Sequence, residues 1–375
     1  MRIDEIEIRH VRLELLNPFE TSFGILTENQ MIVLRIRSGE RTAWGEAPVM
    51  RHPLYSAEFA AGAFLVLRDV LAPMVVGQEI ESPAALHALM HPVRGHFMAK
   101  GGLDTAVHVM FAAEADVSLS RYLGGTRRKV ACGISIGIQR DAKGDVSIDR
   151  LLEAVDDSIK ASYRRIKIKI KPGYDVEPVK AIRDAFGDDL PLQVDANSAY
   201  TLDDVDVFRR LDAFALQLIE QPLAHDDIID HAKLQAAIET PVCLDESIET
   251  LDDARHALEL GSCRVINIKH TRVGGLHVAK AIHDLCADHG VPVWCGGMLE
   301  SAIGQSHAIA LASLPNFKLP GDNAPSERYF RRDLIRPFVR LEDGFIEVPV
   351  APGLGFDVDE TFLEEVTLAK DVVRA

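Results

Sequence analysis

Arg165-Ile-Lys-Ile-Lys169, Leu192-Gln-Val-Asp-Ala-Asn197, Leu218-Ile-Glu-Gln-Pro222, Val242-Cys-Leu-Asp-Glu-Ser247 and Val265-Ile-Asn-Ile-Lys269 decide how this chain folds. Each is a short run rich in apolar residues, the mark of a buried strand, with a charge at or near its end. From Lys169 through Asp195, Glu220 and Asp245 to Lys269 the steps are 26, 25, 25 and 24 residues. A strand, a helix and two loops fill about 25 residues, so the near-constant step reads as repeated βα units. In a β/α barrel all strand C-termini meet at one mouth, so these five side chains are expected to converge.

Working outward, the first barrel strand is expected at Val130–Ile138. Later strands are expected near 191–196, 215–220, 242–246, 264–269, 292–296 and 317–320, after the one at 165–170. Helical periodicity falls between them, at Asp175–Phe186, Thr201–Leu211, Ile228–Ala237, Leu251–Leu260 and Leu276–His289. Upstream, Ile3–Arg12, Met31–Arg37 and Thr42–Ala47 read as strands. Ala57–Leu71, Pro83–His91 and Gly102–Leu119 read as helices. Asn17–Leu26 reads as a loop carrying two aromatics, and Arg51–Tyr55 as a second loop. The fold class is therefore α/β: a modified TIM-type barrel over residues 126–333 with an α+β capping domain over 1–125. The tail from 334, strand-like at Ile335–Leu341 and Phe345–Val350, is expected to return over 334–375 and complete the cap sheet.

Composition narrows the function. The 375 residues carry a net charge of −16, which disfavours nucleic acid and anionic membrane as partners because phosphate binding needs a basic face. No apolar run approaches the ~18 residues of a membrane helix. The five cysteines have no paired spacing and the N-terminus lacks an apolar signal core, which places the protein in the cytoplasm with reduced thiols.

Alternation along each strand decides which side chains share a face. Lys167 and Lys169 share one, as do Gln193, Asp195 and Asn197; Cys243, Asp245 and Ser247; and Asn267 and Lys269. Three carboxylates on adjacent strands suit a hard divalent cation such as Mg²⁺. A lysine on either side of that metal can take a proton from an α-carbon and return one to either face, with the metal holding the enediolate between the steps. Such a base must be neutral when it acts, so burial and a like-charged neighbour are expected to depress its pKa; Lys167 is the candidate neighbour of Lys169. Blander readings stand beside this one. Alternating lysines guard edge strands, and an acid at a strand end often caps the next helix, as Asn197 and Ser247 could. The joint pattern of charge, step and facing favours the site.

With Lys167-x-Lys169, Asp195-x-Asn197, Glu220-Gln-Pro, Asp245-Glu-Ser and Lys269 in place, the chain resembles the muconate-lactonizing subgroup of the enolase superfamily. Within it, the chain is most similar to the N-succinylamino acid racemase / o-succinylbenzoate synthase family. Met98-Ala-Lys-Gly, Cys132-Gly-Ile-Ser-Ile-Gly-Ile, Arg272-Val-Gly-Gly, Trp294-Cys-Gly-Gly-Met and Leu314-Pro-Asn-Phe-Lys-Leu-Pro-Gly-Asp322 carry the likeness along nearly the whole chain. The resemblance implies that Asp195, Glu220 and Asp245 bind Mg²⁺, or another divalent cation such as Mn²⁺, and that Lys169 and Lys269 are the acid/base pair. It gives Lys167 and Asn197 supporting roles at the substrate carboxylate and the metal. It puts Ser135, Gly296, Gly297 and Met298 in the substrate pocket, under two lid segments, Phe19–Leu26 and Met50–Tyr55, that present Phe23 and Tyr55. A small-molecule carboxylate substrate and a homo-oligomer are implied too. The implied reaction is racemisation of N-acyl, especially N-succinyl, amino acids, or dehydration to o-succinylbenzoate, or both. Dipeptide epimerisation, with Asp322 anchoring an ammonium, and a catalytically silent metal-binding barrel are the further readings. The chain departs from relatives at His270-Thr271, where Pro-Gly is common, at Ala302 and Gln305, and at Arg51-His52; these positions bear on specificity.

Overall fold

A computed structural model describes residues 1–375. Three strands open the chain: β1 (Glu5–Thr21), β2 (Gly24–Ser38) and β3 (Arg41–Ala47). They form an antiparallel sheet whose fourth member is the C-terminal strand Thr367–Arg374, paired with β1. That late strand closes the cap sheet. Ile335–Arg336 and Phe345–Glu347 do not: the first pairs with Asp357–Val358, and the second with β4 (Lys129–Ala131). The strand expected at 130–138 is accordingly split. Cys132-Gly133 separates β4 from the barrel strand β5 (Ile134–Ile136), and a Cβ at Gly133 would lie 2.4 Å from the Arg165 guanidinium carbon.

The barrel continues through β6 (Ile166–Lys169), β7 (Leu192–Asp195), β8 (Leu218–Glu220), β9 (Val242–Leu244), β10 (Val265–Ile268) and β11 (Val293–Cys295), all parallel and in sequential order. The eighth position, expected near 317–320, is filled by two single bridges, Val293 to Phe317 and Cys132 to Gly321, rather than by a regular strand. Helices flank the strands, and local signals fix their ends. Thr250 and Asp253 form a capping box at the start of Leu251–Leu260, and Gly261, at φ +70°, ends it.

Alternation divides the apolar residues in two. Ile166, Ile168, Val194, Ile219, Leu244, Ile266 and Ile268 point to the helices and join the main core. Leu218, Cys243, Val265 and Trp294 form a separate plug inside the barrel, beneath the charged strand ends. The plug keeps water from reaching those charges from below, so their pairing must be met within the mouth.

The helix predicted at 102–119 begins five residues earlier and runs Phe97–Glu114, almost wholly buried between cap sheet and barrel. Its glycines permit that approach. A Cβ on Gly101 would come within 2.8 Å of Thr271 Cα, in the loop that follows Lys269. From the same helix Asp104 accepts the Leu276 and His277 amides at 2.5 and 3.3 Å, at the N-terminus of Leu276–Asp288. The helix expected over 57–71 starts at Ala60 and passes into a π-helical turn at Leu67–Leu71. Asn17–Leu26 is no loop. It is the tip of the long β1–β2 hairpin, with a register irregularity between Glu14 and Phe19 that aims the tip over the barrel.

Candidate active site

All five strand-end charges reach one mouth, each of them less than a tenth exposed. Lys169 Nζ donates to Asp195 Oδ2 at 2.6 Å and Asn197 Oδ1 at 2.8 Å. Lys167 Nζ donates to Glu220 Oε2 at 2.7 Å and Asp322 Oδ2 at 2.9 Å. Lys269 Nζ donates to Asp245 Oδ2 at 2.7 Å and to the Tyr55 hydroxyl at 3.0 Å. Lys169 and Lys269 thus belong to opposite flanks of the carboxylate row, and both line one cavity with Phe19, Phe23, Tyr55, Ser135, Asn197, Gly297 and Met298. Gly296 stands outside that lining. A Cβ there would meet Asn267 Oδ1 at 2.3 Å, and Asn267 Nδ2 donates to Glu220 Oε1 at 2.8 Å. The glycine therefore makes room for the amide that holds Glu220.

The carboxylates are positioned by backbone turns. The turn after Asp195 is tight: Asn197 sits at φ +42°, its amide donating to Asp195 Oδ1 at 2.9 Å. Gln221, at φ +37°, accepts the Asp245 amide at 2.9 Å and donates to Ser247 Oγ at 2.6 Å, stapling β8 to the turn after β9. Non-glycine residues hold positive φ only where their surroundings impose it, and such positions cluster at functional sites. Neither Asn197 nor Ser247 caps a helix. Asn197 bridges Lys169 to Glu246, and Ser247 donates to the Asp227 carbonyl.

At Lys269 the electrostatics depart from the expectation of a depressed lysine. Burial disfavours the Lys269 ammonium, but the Tyr55 hydroxyl and the Glu246 and Glu220 carboxylates outweigh it, so the group titrates above the ordinary lysine range. Burial likewise opposes charge on Lys167, and Asp322, Glu220 and Asp195 outweigh it. Glu220 is raised by burial first and by the Asp195 charge second. Glu246 is pushed up to about 7 for the same two reasons. Lys167 and Lys269 therefore rest as ammonium groups held among the carboxylates.

In type, the donor set fits a hard divalent cation: three buried carboxylates at the ends of neighbouring strands, with no histidine or cysteine among them. In arrangement, no three such side chains are drawn around a single point, because each carboxylate is turned to a cation of the chain. The negative charge that an ion would neutralise is present, and the lysines now hold it.

Sequence reasoning gave no role to several residues that the structure brings in. Arg272 donates to Asp245, and through Nε and Nη2 to the Ile248 and Asn267 carbonyls at 2.9 and 2.7 Å. Gln221 and Asn267 act as described above; their place beside a charged strand end was the only signal available. Asp322, considered as an ammonium anchor, is paired with Arg165 at 2.8 Å and Lys167 at 2.9 Å and accepts from Ser135. Its charge is spent on two buried cations, which removes the main support for dipeptide epimerisation. Arg51 lies exposed at the rim, 3.4 Å from Glu28 of the β1–β2 hairpin. Gln305 lines the cavity and donates to Glu300 at 2.8 Å.

Family models match both parts of the chain. "Mandelate racemase / muconate lactonizing enzyme, N-terminal domain" covers residues 3–124, and "Enolase C-terminal domain-like" covers 150–362. The chain belongs to the enolase superfamily. It is 46% identical to an o-succinylbenzoate synthase of Geobacillus kaustophilus over 98% of this chain and 96% of that one. It is 45% identical to an N-succinylamino acid racemase of Amycolatopsis sp over 99% of each. A solved enolase-superfamily member from Listeria innocua superposes with a TM-score of 0.94 at 35% identity, covering 100% of this chain and 99% of that one. Enzymes of this superfamily use a divalent metal ion. No helix here is long and apolar enough to cross a membrane, and all five cysteines are buried and unpaired.

Proposed function

We propose that this protein removes the α-proton of a small carboxylate substrate, with Lys169 and Lys269 as the acid/base pair, and that it racemises N-acylated amino acids, N-succinyl ones in particular. The observation that carries this reading is that two lysines, each held by a different strand-end carboxylate, line one buried cavity. Asp195, Glu220 and Asp245 would hold the ion, Mg²⁺ or another divalent cation such as Mn²⁺. When bound it supplies electrophilic stabilisation of the substrate carboxylate.

The chain's own groups divide the rest of the work. A lysine present as ammonium serves as the acid, and its counterpart must shed both its carboxylate contact and one proton to solvent before its neutral amine can act as base. Lys167, paired with Glu220 and Asp322, brings positive charge to the substrate carboxylate. Asn197 fixes Lys169. Phe23 and Tyr55, from the two lid segments, exclude water, and the Tyr55 hydroxyl reaches Lys269 and Asp245. Ser135, Gly297 and Met298 shape the wall.

The second reading is o-succinylbenzoate synthesis, with one lysine as base and the other holding the intermediate by its charge. Relatives of that name at 46% and 43% identity favour keeping it, and one site can serve both reactions. We also take the protein to be a cytoplasmic homo-oligomer with two units, 1–125 with the 334–375 return, and 126–333.

The test is α-proton exchange of N-succinyl-phenylalanine in D₂O with Mg²⁺, read by NMR with optical rotation in parallel. Exchange with racemisation, abolished by EDTA and restored by Mg²⁺, is the expected result. Absence of exchange sinks the racemase reading for that substrate, and dehydration of the cyclohexadiene precursor of o-succinylbenzoate then decides the second reading.

A further inference from the structure

The cavity between the lysines measures about 60 Å³. Sites for drug-sized ligands run to roughly 300–1,000 Å³, so the reacting end of a substrate fits there and a long acyl tail does not. A groove of about 810 Å³ adjoins it, and Phe19 and Tyr329 line both spaces. The groove runs along the outward residues of the first barrel strand, Ile134 and Ile136, beneath the β1–β2 hairpin.

Its polar end is built from Arg328, Tyr163 and Tyr329. Arg328 has no acidic partner within salt-bridge distance. Its Nη2 donates to the Ser135 carbonyl at 3.2 Å, and its buried Nε has no partner. Burial pushes both tyrosine hydroxyls up; the Arg328 charge opposes this at each, while Glu327 adds to it at Tyr163 and Asp322 and Glu300 add to it at Tyr329. The other charges of the groove are Glu20 and Arg140, paired with each other at 2.6 Å, and the exposed Asp157. Arg328 is thus the groove's uncompensated cation, flanked by two phenols free to donate. A guanidinium with adjacent hydroxyl donors is a carboxylate site.

We infer that Arg328, with Tyr163 and Tyr329, binds the distal carboxylate of a dicarboxylic acyl group whose chain leaves the cavity between Phe19 and Tyr329. This rests on the acylamino acid reading and names the part of the substrate that this reading leaves unassigned. The apolar stretch of groove takes the methylenes, and the ion pair at its end selects a succinyl tail over an alkyl one.

The experiment compares two substrates that differ only at the tail, N-succinyl- and N-butanoyl-phenylalanine, by α-proton exchange with Mg²⁺. Wild type favours the succinyl substrate in kcat/KM. Arg328→Gln lowers that ratio by roughly 10- to 100-fold, the worth of a hydrogen bond to a charged group. The loss falls on KM rather than kcat, and Arg328→Lys restores part of it. If both substrates lose equally, Arg328 merely caps the Ser135 carbonyl and the inference is overturned. If wild type exchanges neither substrate, the acylamino acid reading fails instead. The subsite is then read by calorimetric binding of o-succinylbenzoate against 2-butanoylbenzoate to the Mg²⁺-loaded protein. Tighter binding of the acid tail that disappears in Arg328→Gln upholds it, and equal affinities refute it.

Discussion

Replacing each lysine in turn by methionine separates a two-base site from a single base with a helper. The substitution keeps length and removes the charge, and the structure says what is left behind. In Lys269→Met, Asp245 retains its ion pair with Arg272 and its hydrogen bond from Tyr55 at 3.1 Å, so no buried carboxylate is orphaned. In Lys169→Met, Asp195 keeps the Asn197 amide at 2.9 Å and Lys167 at 3.5 Å. Folding should therefore survive both changes, because the 3–5 kcal/mol cost typical of a stranded buried charge is avoided. The chemical loss is larger. A positioned acid or base contributes about 10²- to 10⁴-fold, and racemisation needs both, so each variant should lose racemisation by at least that factor. Exchange is the discriminating assay. With a single remaining lysine, the α-proton that faces it still exchanges with solvent and returns to the same face. Started from the separate D and L enantiomers of N-succinyl-phenylalanine in D₂O, each variant should deuterate one enantiomer only, without inversion, and the two variants should choose opposite enantiomers. Exchange of the same enantiomer by both variants would refute the two-face geometry, and racemisation within tenfold of wild type by either would remove that lysine from the chemistry.

Two further outcomes follow from single contacts. Glu46 of β3 is fully buried and accepts the Ser301 and Gly304 amides, each at 3.0 Å, at the start of the helix Ala302–Ala312. Burial first, opposed by the Ser301 hydrogen bond and reinforced by the Glu300 charge, pushes it up to about 8. A folded-state value above the ordinary 4.5 means that the folded protein holds this proton more tightly, so the contribution is full below pH ~4.5 and is lost as pH rises through about 8. At about 1.4 kcal/mol per unit the ceiling is roughly 5 kcal/mol, and Glu46→Gln should flatten the fall of Tm between pH 5 and 8.5; equal slopes in the two proteins would exclude the assignment. Gly296→Ala should drive the Asn267 amide off Glu220, since the new Cβ lies 2.3 Å from Oδ1. It should lower kcat/KM about 10-fold or more by loss of a hydrogen bond to a charged group, and an unchanged value in a protein of unchanged Tm would show that Asn267 does not matter.

The sequence alone determined the barrel, because its evidence is periodic and local. Strand alternation puts Lys167, Lys169, Asp195 and Lys269 on inward faces whatever the rest of the chain does, and a constant step of about 25 residues has few other solutions. For the same reason the carboxylate row and the lysine pair were legible before any coordinates. Tertiary structure decided what depends on contacts between distant segments. The last strand of the cap sheet comes from 367–374 rather than from the strand-like 345–350, because pairing is won by whichever segment can reach the exposed edge of β1, and reach is not written in propensity. The apparent loop at 17–26 is hairpin, since β1 and β2 continue pairing past the point where their alternation fades. Gly296 makes room for Asn267, and Asp322 is paired with Arg165 and Lys167, because who neighbours a side chain in the mouth is set by strand order and register. The protonation of Lys269 was likewise beyond the sequence. Burial argues for a depressed value, while the Tyr55 hydroxyl and the Glu246 and Glu220 carboxylates packed around it argue the other way, and only the packed structure says which is larger.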